Sequence, residues 1–414
     1  MRIVLVSHHY APENNTPQRR WSALISRFVA AGHSVHVFVP PPHYPTGKLD
    51  AAWDSKVGST TIGEHGETIH WVNFREHGRG LAARSIDQLL AASHSVLRGF
   101  KLFRRREHRP DVVISTAPAL PSLIAGWLLA AFLRVPHVAE VRDAWPDLID
   151  GSNMLKKSRL PTRAIAHCAA WMISLVQRRA ALVVTTSRSF ADIVTRRGVR
   201  RAEVVRNGID PNQFKELQKS QDDRDGLRVL YAGTIGRSQN LEVAIQAAEI
   251  AQARGMDIEL KLIGAGAEKQ NLSELISRTE ANVQLLDPMP LAHLLREYEW
   301  ADTVLVSLAA WQPFLWTVPS KLYEIIALGK HVSAAVEGET AELVRTLEAG
   351  DVVTPNDPEA LVELWDKLSS QRPDSDVQTT GRDWVIANLN FDELSSRYLS
   401  LLHEVVNGSA AVAK

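Results

Sequence analysis

The chain has 414 residues, of which 45% are hydrophobic and 23% are charged, so it is long enough for two or three globular domains with sizeable cores. A single cysteine, Cys168, excludes an internal disulfide framework. The formal net charge of +0 conceals a division, because residues 1–206 contain 29 Lys and Arg against 15 Asp and Glu, whereas residues 207–414 contain 18 against 32.

This division of charge predicts a basic domain followed by an acidic one, with the basic domain facing something anionic. No signature of an RNA- or DNA-binding module is present, so nucleic acid is not an expected partner. An anionic membrane surface fits better. The chain begins directly with a strand-like run and not with a signal peptide, so we expect a cytoplasmic protein with peripheral contact to the inner face of the plasma membrane.

The first elements predict a doubly wound nucleotide-fold domain. Residues 2–7 form a continuous apolar run typical of a buried parallel strand, a helix is expected over about residues 21–31, and a second strand over residues 33–39. No GxGxxG motif follows the first strand, so a dinucleotide is not implied. Ligands bind at the carboxyl ends of such strands, and the residues on that side are His8, Glu13, Asn14 and Thr16.

The rest of the first half continues this alternation. A β-rich segment is expected over residues 57–74, and further strands over 111–115, 137–141, 182–185 and 203–206. Helices are expected over residues 81–106, 120–133 and 163–179. The second helix is too short to span a bilayer and is either buried or interfacial. The third has basic ends and an apolar centre, which is typical of core packing or of contact with anionic lipid.

A break at residues 207–211 and a polar stretch at 218–226 mark the domain boundary, after which the pattern restarts. Strands are expected over residues 227–232, 258–263, 283–286 and 303–308, and late helices over 357–368 and 391–406. The predicted domains are residues 1–206, residues 207–375, and a C-terminal helical segment, 376–414, that could cross back onto the first domain.

The most informative segment of the second half is Val318–Val332. Ser320 is a good N-cap residue, and Gly329 can end the helix. Lys321 and Glu324 share one face. The N-terminal N–H groups, the helix dipole and the lysine favour a diphosphate, and Glu324 can accept hydrogen bonds from ribose hydroxyls. The alternative is a solvated helix that carries an ordinary Lys–Glu pair.

Several segments, in this order, resemble the retaining glycosyltransferases of family 4. They are HHYAPE (8–13) with GHSVHVF (32–38), YPTGK (44–48), VRDAWPD (141–147), VVRNGID (204–210), YAGTIG (231–236), LIGAGAE (262–268) and the 318–332 segment. The resemblance covers nearly the whole chain and is greatest to the bacterial enzymes of colanic-acid, capsule and O-antigen (lipopolysaccharide) assembly. It implies an α/β fold of the GT-B class, in which two Rossmann-like doubly wound domains face an interdomain cleft.

The resemblance also implies roles for particular residues. In the second domain, Glu324 would hold the ribose, and the other expected nucleotide-sugar contacts are Gly233, Gly236, Gly264, Gly266, Trp316 and Ser320. Arg237 and Lys321 would supply positive charge to the diphosphate. In the first domain, Asp143 is the leading catalytic candidate, and the loop that contains Glu13, Asn14 and Thr16 would close over the phosphates.

The chain departs from the family pattern in three places. Trp316 occupies the position, eight residues before Glu324, where the family often has a second glutamate, and Gln239 stands where a lysine is common. The usual histidine near Asp143 is not evident. The aromatic Trp316 favours a deoxy or acetamido donor sugar over a plain hexose. The 15 histidines form no HExxH or His/Cys motif, and the family implies no obligatory metal or cofactor.

The expected activity is therefore retaining transfer of a hexosyl or acetamidohexosyl group from a UDP- or GDP-sugar to a glycan or polyprenyl-diphosphate-linked acceptor. Two alternatives remain open from the sequence. One is a nucleotide-sugar 2-epimerase on the same fold. The other is a catalytically degenerate scaffold subunit of a polysaccharide complex.

Overall fold

The computed structural model describes residues 1–13, 15–44, 46–78, 80–148, 160–217, 226–371 and 379–412. Its contacts divide the chain into a first domain, Met1–Asn207 with Phe391–Lys414, and a second domain, Gly208–Asn390. The division after Asn207 lies one residue from the boundary that the sequence indicates.

The first domain is built on an eight-stranded sheet in which every neighbouring pair is parallel except β3 and β4. The strand order is β3-β4-β2-β1-β5-β6-β7-β8. The strands are β1 (Arg2–Val6), β2 (Ser34–Val39), β3 (Thr60–Ile62), β4 (Thr68–Trp71), β5 (Val112–Thr116), β6 (His137–Val141), β7 (Leu182–Thr185) and β8 (Ala202–Val204). The central strands β5, β6 and β7 are buried at every residue, as expected for a parallel sheet with helices on both faces.

The helices of the first domain agree closely with the apolar periodicity. They are α1 (Thr16–Ala30), α2 (Ala51–Asp54), α3 (Leu81–Phe103), α4 (Leu120–Leu133), α5 (Leu160–Arg179) and α6 (Arg188–Arg196). Helix α4 is a core helix, since Leu123 and Leu129 are fully buried, although Phe132 is 57% exposed. Within the described ranges, no helix has both the length and the continuous apolarity that a bilayer crossing requires.

The second domain has a six-stranded, wholly parallel sheet in the order β11-β10-β9-β12-β13-β14. Its strands are β9 (Leu227–Ala232), β10 (Ile258–Ile263), β11 (Val283–Leu286), β12 (Thr303–Ser307), β13 (His331–Ala335) and β14 (Gly350–Val353). Its helices are α7 (Glu242–Ala253), α8 (Lys269–Ile276), α9 (Leu291–Trp300), α10 (Ser320–Ala327), α11 (Gly338–Thr346), α12 (Pro358–Ser370) and α13 (Thr379–Leu389). The strand order reverses at β9, which places a ligand crevice at the carboxyl end of that strand.

The C-terminal segment 376–414 is not one unit. Helix α13 belongs to the second domain, and α14 (Phe391–Val412) belongs to the first. Tyr398 of α14 is fully buried, with its ring centroid 5.8 Å from that of Trp21 and 5.9 Å from that of Phe28. The sequence allows segment 376–414 to cross back onto the first domain, and in the structure only α14 does so.

Candidate functional site

Helix α10 begins at the carboxyl edge of the second sheet, and no side chain caps its first turn. The N-cap position is occupied by Pro319, so Ser320 is the first helical residue and not the predicted cap. The predicted core face is confirmed, because Leu322, Ile325 and Ile326 are buried. Since proline has no side-chain acceptor for the N–H groups of the first turn, this helix end is suited to an external anion.

The ammonium group of Lys321 is buried beside β9. Its Nζ lies 3.7 Å from the centroid of the Tyr231 ring, and a Cβ built on Gly233 would lie 2.6 Å from it. Among the described residues, this Nζ has no hydrogen-bond partner. Burial lowers the pKa of Lys321 to about 7, although the charge of Glu324 acts in the opposite direction. The alternative of a solvated Lys–Glu pair is therefore wrong for Lys321.

Two glycine turns meet next to this ammonium group. The Ile235 N–H donates to the Ala265 carbonyl at 2.9 Å, which joins the turn after β9 to the turn after β10. A Cβ on Gly264 would lie 1.8 Å from the Gly233 carbonyl oxygen, and a Cβ on Gly266 would lie 1.9 Å from the Ile235 carbonyl oxygen. These glycines are required because the two backbones pack directly on each other.

The first turn is closed by Gln239, the residue that stands where the family often has a lysine. The Gly236 N–H donates to Gln239 Oε1 at 3.1 Å, and the Ser307 hydroxyl donates to the Gln239 carbonyl at 2.7 Å. Gln239 therefore stabilises the backbone of the turn, and the charge of the missing lysine is not replaced at this position.

Arg237 forms an ion pair with Glu268. Its Nε donates to Glu268 Oε1 at 3.0 Å, and 69% of its side chain is exposed. Arg237, Glu268 and Trp311 line one cavity of about 460 Å³. An exposed ion pair of this kind is weak, so the guanidinium can exchange the carboxylate for another anion at small cost.

Aromatic residues precede α10. The Trp311 and Phe314 rings are stacked with their centroids 5.3 Å apart, and Trp316 ends the short 3₁₀ turn Gln312–Trp316 in a half-buried position. This turn is held in place by α11, since a Cβ on Gly338 would lie 2.1 Å from the carbonyl oxygen of Leu315. A group of aromatic side chains therefore directly precedes helix α10 in the sequence.

In the first domain, Asp143 follows β6 at the carboxyl edge of the sheet. Burial raises the pKa of its carboxyl group, and the neighbouring Arg142 lowers it. The side-chain atoms Nε and Nη1 of Arg142 are buried and have no hydrogen-bond partner in the described part of the chain. The sequence does not distinguish Arg142 as a site residue. An arginine next to an aspartate indicates an internal ion pair, and nothing in the sequence shows that its N–H groups lack partners.

Glu13, in the loop after β1, is held by groups from two loops. Glu13 Oε1 accepts from the N–H groups of His43 and Tyr44, and Oε2 contacts His9 Nδ1 at 2.7 Å and accepts from Asn15 Nδ2 at 2.8 Å. The nearby histidines and N–H groups hold the pKa of Glu13 at about 2, against the effect of burial.

Because both Glu13 oxygens are engaged, Glu13 connects two loops and has little capacity left for a ligand. Thr16 is the first residue of α1, next to the capping Asn15. Asn14 lies outside the described residues.

Comparison with known proteins agrees with this architecture. Residues 15–208 match the family described as glycosyl transferase 4-like domain, and residues 212–381 match the family described as glycosyl transferases group 1. The chain is 26% identical over 407 residues to the putative colanic acid biosynthesis glycosyl transferase WcaI of Escherichia coli K12, covering 87% of this chain and 90% of WcaI. It is 24% identical over 207 residues to the putative colanic acid biosynthesis glycosyltransferase WcaL of Salmonella typhimurium LT2, covering 49% and 51% of the two chains.

Solved structures show the same fold at low sequence identity. Sucrose-phosphate synthase from Thermosynechococcus elongatus is similar with a TM-score of 0.75 at 16% identity, covering 98% of this chain and 99% of the other. Anabaena HepE, solved with UDP-glucose, is similar with a TM-score of 0.65 at 18% identity, covering 98% and 100%. The two family matches span nearly the whole described chain, and the protein therefore belongs to the family 4 glycosyltransferases of the GT-B fold class.

Proposed function

We propose that the protein transfers a sugar from a UDP- or GDP-sugar to a glycan or polyprenyl-diphosphate-linked acceptor, with retention of configuration, in the assembly of a bacterial surface polysaccharide. The single observation that supports this most is the buried Lys321 ammonium group, which has no hydrogen-bond partner among the described residues. The name of the Escherichia coli relative supports the pathway class, and the UDP-glucose bound to Anabaena HepE supports the donor class.

Glycosyl transfer needs stabilisation of the departing diphosphate. As the bond to the sugar breaks, negative charge develops on the leaving oxygen and positive charge on the sugar ring. The Lys321 ammonium and the N–H groups at the start of α10 would face that negative charge from a preorganised position. Arg237 would add charge by exchanging Glu268 for a phosphate oxygen.

The remaining nucleotide contacts follow from the same framework. The turns that contain Gly233, Gly236, Gly264 and Gly266 would let the diphosphate and ribose approach the backbone closely. Glu324 lies one helical turn from Lys321 and would accept hydrogen bonds from the ribose hydroxyls, and the Ser320 N–H would help to bind the β-phosphate.

In the first domain, Asp143 and Arg142 would contact the reacting sugar or its acceptor. A carboxyl group whose pKa is raised can hold or release a proton nearer to neutral pH than an ordinary aspartate can. The unused Arg142 donors would bind a hydroxyl or phosphate oxygen. No protein nucleophile is required, because the acceptor can attack from the face that the diphosphate leaves.

The donor sugar is proposed to be a deoxy or acetamido sugar. Trp316, where a carboxylate is common, offers no acceptor oxygen for sugar hydroxyls, and the Trp311–Phe314 stack adds apolar surface beside it. An unpaired hydroxyl against such a surface is penalised, whereas the methyl group of a deoxy sugar or of an acetamido substituent is not.

A transfer assay tests the proposed function. UDP- and GDP-sugars are screened by thermal shift, and the release of UDP or GDP is then measured with and without lipid-linked glycan acceptors. Acceptor-dependent release, with a product whose anomeric configuration by NMR matches the donor, is the expected result. A C2-epimerised donor without acceptor consumption would indicate the epimerase, and nucleotide binding without any product would indicate a scaffold; either result overturns the proposal.

A further inference from the structure

Four polar side chains from separate segments of the first domain meet in its interior. His8 follows β1, His43 follows β2, His77 follows β4, and Asp87 lies on α3. The strands β1, β2 and β4 are parallel neighbours in the sheet, so the three loops leave the same edge. His8, His43 and Asp87 are 4%, 5% and 0% exposed, which makes this histidine–aspartate cluster a buried one.

The outer atoms of the cluster are fixed by the backbone. His43 Nδ1 lies 2.9 Å from the Pro41 carbonyl oxygen, and His77 Nδ1 lies 3.0 Å from the carbonyl oxygen of the following residue. Because a carbonyl oxygen only accepts, each Nδ1 carries the proton and each Nε2 keeps its lone pair. The Arg75 N–H donates to Asp87 Oδ1 at 2.8 Å, which leaves Oδ2 facing inward.

The inner atoms of the cluster lie near each other, and His8 Nε2 contacts Asp87 Oδ2 at 3.2 Å. His77 Nε2 is buried, has no hydrogen-bond partner within the described ranges, and lies 3.9 Å from Asp87 Oδ2. A buried imidazole nitrogen with a lone pair that faces a carboxylate oxygen destabilises a fold unless a proton or a metal ion lies between the two atoms.

The spacing suits a small tetrahedral cation. Ligand atoms at about 2.0–2.2 Å from a tetrahedral zinc ion lie about 3.3–3.6 Å from one another. In the cluster, His8 Nε2 is 3.2 Å from Asp87 Oδ2, and one ligand atom from each of His8, His43 and Asp87 falls within 4.8 Å of the others. His77 Nε2 lies 3.9 Å from Asp87 Oδ2 but outside this group of three, so the His77 ring would have to move towards His8 and His43 to complete a tetrahedral set.

We infer that His8, His43, His77 and Asp87 form a binding site for one Zn²⁺ ion that ties the loops after β1, β2 and β4 to helix α3. Three imidazole nitrogens and one carboxylate oxygen are a donor set that zinc accepts. The backbone contacts to the outer atoms are those that orient metal-binding histidines in other proteins. The ligands fill all four positions, so the ion has a structural role, which goes beyond the proposed transfer reaction.

A second group of neighbouring donors is less suited to a metal. His9, Glu13 and His43 also place ligand atoms within 4.8 Å of one another. The Glu13 oxygens, however, are already engaged by backbone and side-chain donors. A metal there would have to displace these hydrogen bonds, whereas Asp87 Oδ2 would exchange only its contact with His8 Nε2.

Metal binding by the full-length chain tests the inference directly. The protein is stripped with a chelator, dialysed, and titrated with Zn²⁺ in competition with a chromophoric chelator, and Co²⁺ is used separately as a spectroscopic probe. The expected result is about one tightly bound Zn²⁺ per chain, visible absorption typical of tetrahedral Co²⁺, and a Zn²⁺-dependent rise in melting temperature.

Variants locate the site. His77→Gln and Asp87→Asn should each weaken Zn²⁺ binding by more than about a hundredfold and abolish the Co²⁺ absorption. His70→Gln is the matched control, because His70 is 4% exposed in the same domain but contacts His36 and Thr60 and lies outside the cluster. It should bind Zn²⁺ as the wild type does.

The result does not depend on the variants folding equally well. If Asp87→Asn is unstable, His77→Gln, whose side chain lies nearer the surface, provides the same comparison with folding checked by circular dichroism. Wild-type protein that retains no Zn²⁺ and shows no Zn²⁺-dependent change in melting temperature would overturn the inference. Equal binding by folded His77→Gln and the wild type would also overturn it, and neither outcome bears on glycosyl transfer.

Discussion

The Lys321 ammonium group is buried and has no hydrogen-bond partner among the described residues. Lys321→Met keeps the apolar stem of the side chain and removes the charge, so we expect turnover to fall by about 10²–10³-fold, through lost stabilisation of the departing diphosphate. The free energy of unfolding should stay the same or rise, because a buried ammonium group without a hydrogen-bond partner does not stabilise the fold. Steady-state kinetics and urea denaturation measure the two effects.

Lys330 provides the control for this substitution at the opposite end of α10. Its ammonium donates to the carbonyls of Ala301 at 2.8 Å and Glu299 at 3.3 Å. Lys330→Met should therefore cost about 1–2 kcal/mol of stability and leave turnover unchanged. The assignment of Lys321 would be wrong if its variant kept normal turnover.

Lys321 also predicts how nucleotide binding depends on pH. Its pKa is about 7 in the folded protein and near the ordinary 10.5 in the unfolded chain, so the unfolded chain holds more protons between these values. In the ligand-free protein, this group therefore adds stability as the pH rises from about 7 towards 10.5. A diphosphate favours the charged form, so above pH 7 binding should take up a proton, and affinity should fall by up to about tenfold per pH unit.

Isothermal titration calorimetry with UDP and GDP at pH 8, in two buffers of different ionisation enthalpy, measures this uptake. Lys321→Met should show none. Equal proton uptake by the variant and the wild type would assign the proton to another group.

At the residue scale, the sequence predicts helix α10 but not the environment of its side chains. Lys321 and Glu324 look like a solvated pair because their spacing is that of one helix face. Only the strand order, which places Tyr231 and Gly233 beside α10, buries the ammonium. Glu13 was assigned to the ligand from its place in a loop, whereas its hydrogen bonds come from His43 and Tyr44 on a distant segment.

Two short turns carry the candidate site together with helix α10, and the contact between these turns is testable. Gly266→Ala would place a Cβ 1.9 Å from the Ile235 carbonyl oxygen. Because backbone must then move, we expect a loss of about 2–3 kcal/mol in stability and weaker nucleotide binding. Thermal denaturation and binding assays measure both effects.

Gly236→Ala is the matched control in the facing turn. Its Cβ would lie 3.1 Å from Gln239 Oε1, the end of a flexible side chain that can shift. This variant should lose less than about 1 kcal/mol. If both variants behave alike, then close packing of the turns is not what requires glycine at position 266.

At the element scale, most strands were predictable because parallel strands buried on both faces are continuous apolar runs. The sequence predicts that helix α1 begins near residue 21, because Arg20 looks like part of a polar loop, but the helix begins at Thr16. In the structure, Arg20 is 2% exposed and its Nη2 donates to Glu140 Oε2 at 3.1 Å. A buried ion pair with a partner 120 residues away leaves no local signal in the sequence.

The sequence does not predict the histidine–aspartate cluster, for a related reason. Metal motifs are recognised by short spacing, but its four residues lie on segments that only the sheet order brings together. His8 and Asp87 are far apart in sequence, and no local pattern connects them.

At the scale of the whole molecule, part of the excess positive charge of the first half is clustered at the end of α3. A groove of about 650 Å³ is lined by Lys101, Arg104 and Arg105. On the same helix, Leu97 is 69% exposed and Phe100 is 42% exposed. Basic side chains next to exposed apolar ones form a surface suited to an anionic bilayer, which would present a polyprenyl-linked acceptor.

Flotation with vesicles tests this surface. The wild type should bind anionic vesicles at low salt, bind neutral vesicles poorly, and dissociate as salt rises. Lys101→Glu with Arg104→Glu should reduce binding by about tenfold or more, since each basic group near the surface contributes about 1 kcal/mol. Arg196→Glu with Arg200→Glu changes the net charge equally and should bind as the wild type does. Absence of binding to anionic vesicles at low salt would exclude the membrane contact.

The return of α14 to the first domain also determines how the protein can be assembled and divided. Ile209 and Asn390 form a backbone bridge, so the second domain begins and ends at adjacent points, like an insertion into the first. During synthesis, the ribosome must complete the whole second domain before Tyr398 can fill its place beside Trp21. Residues 208–390 can accordingly be expressed as one continuous piece, whereas the first domain needs two pieces of chain, or a short linker from Asn207 to Phe391, to become complete.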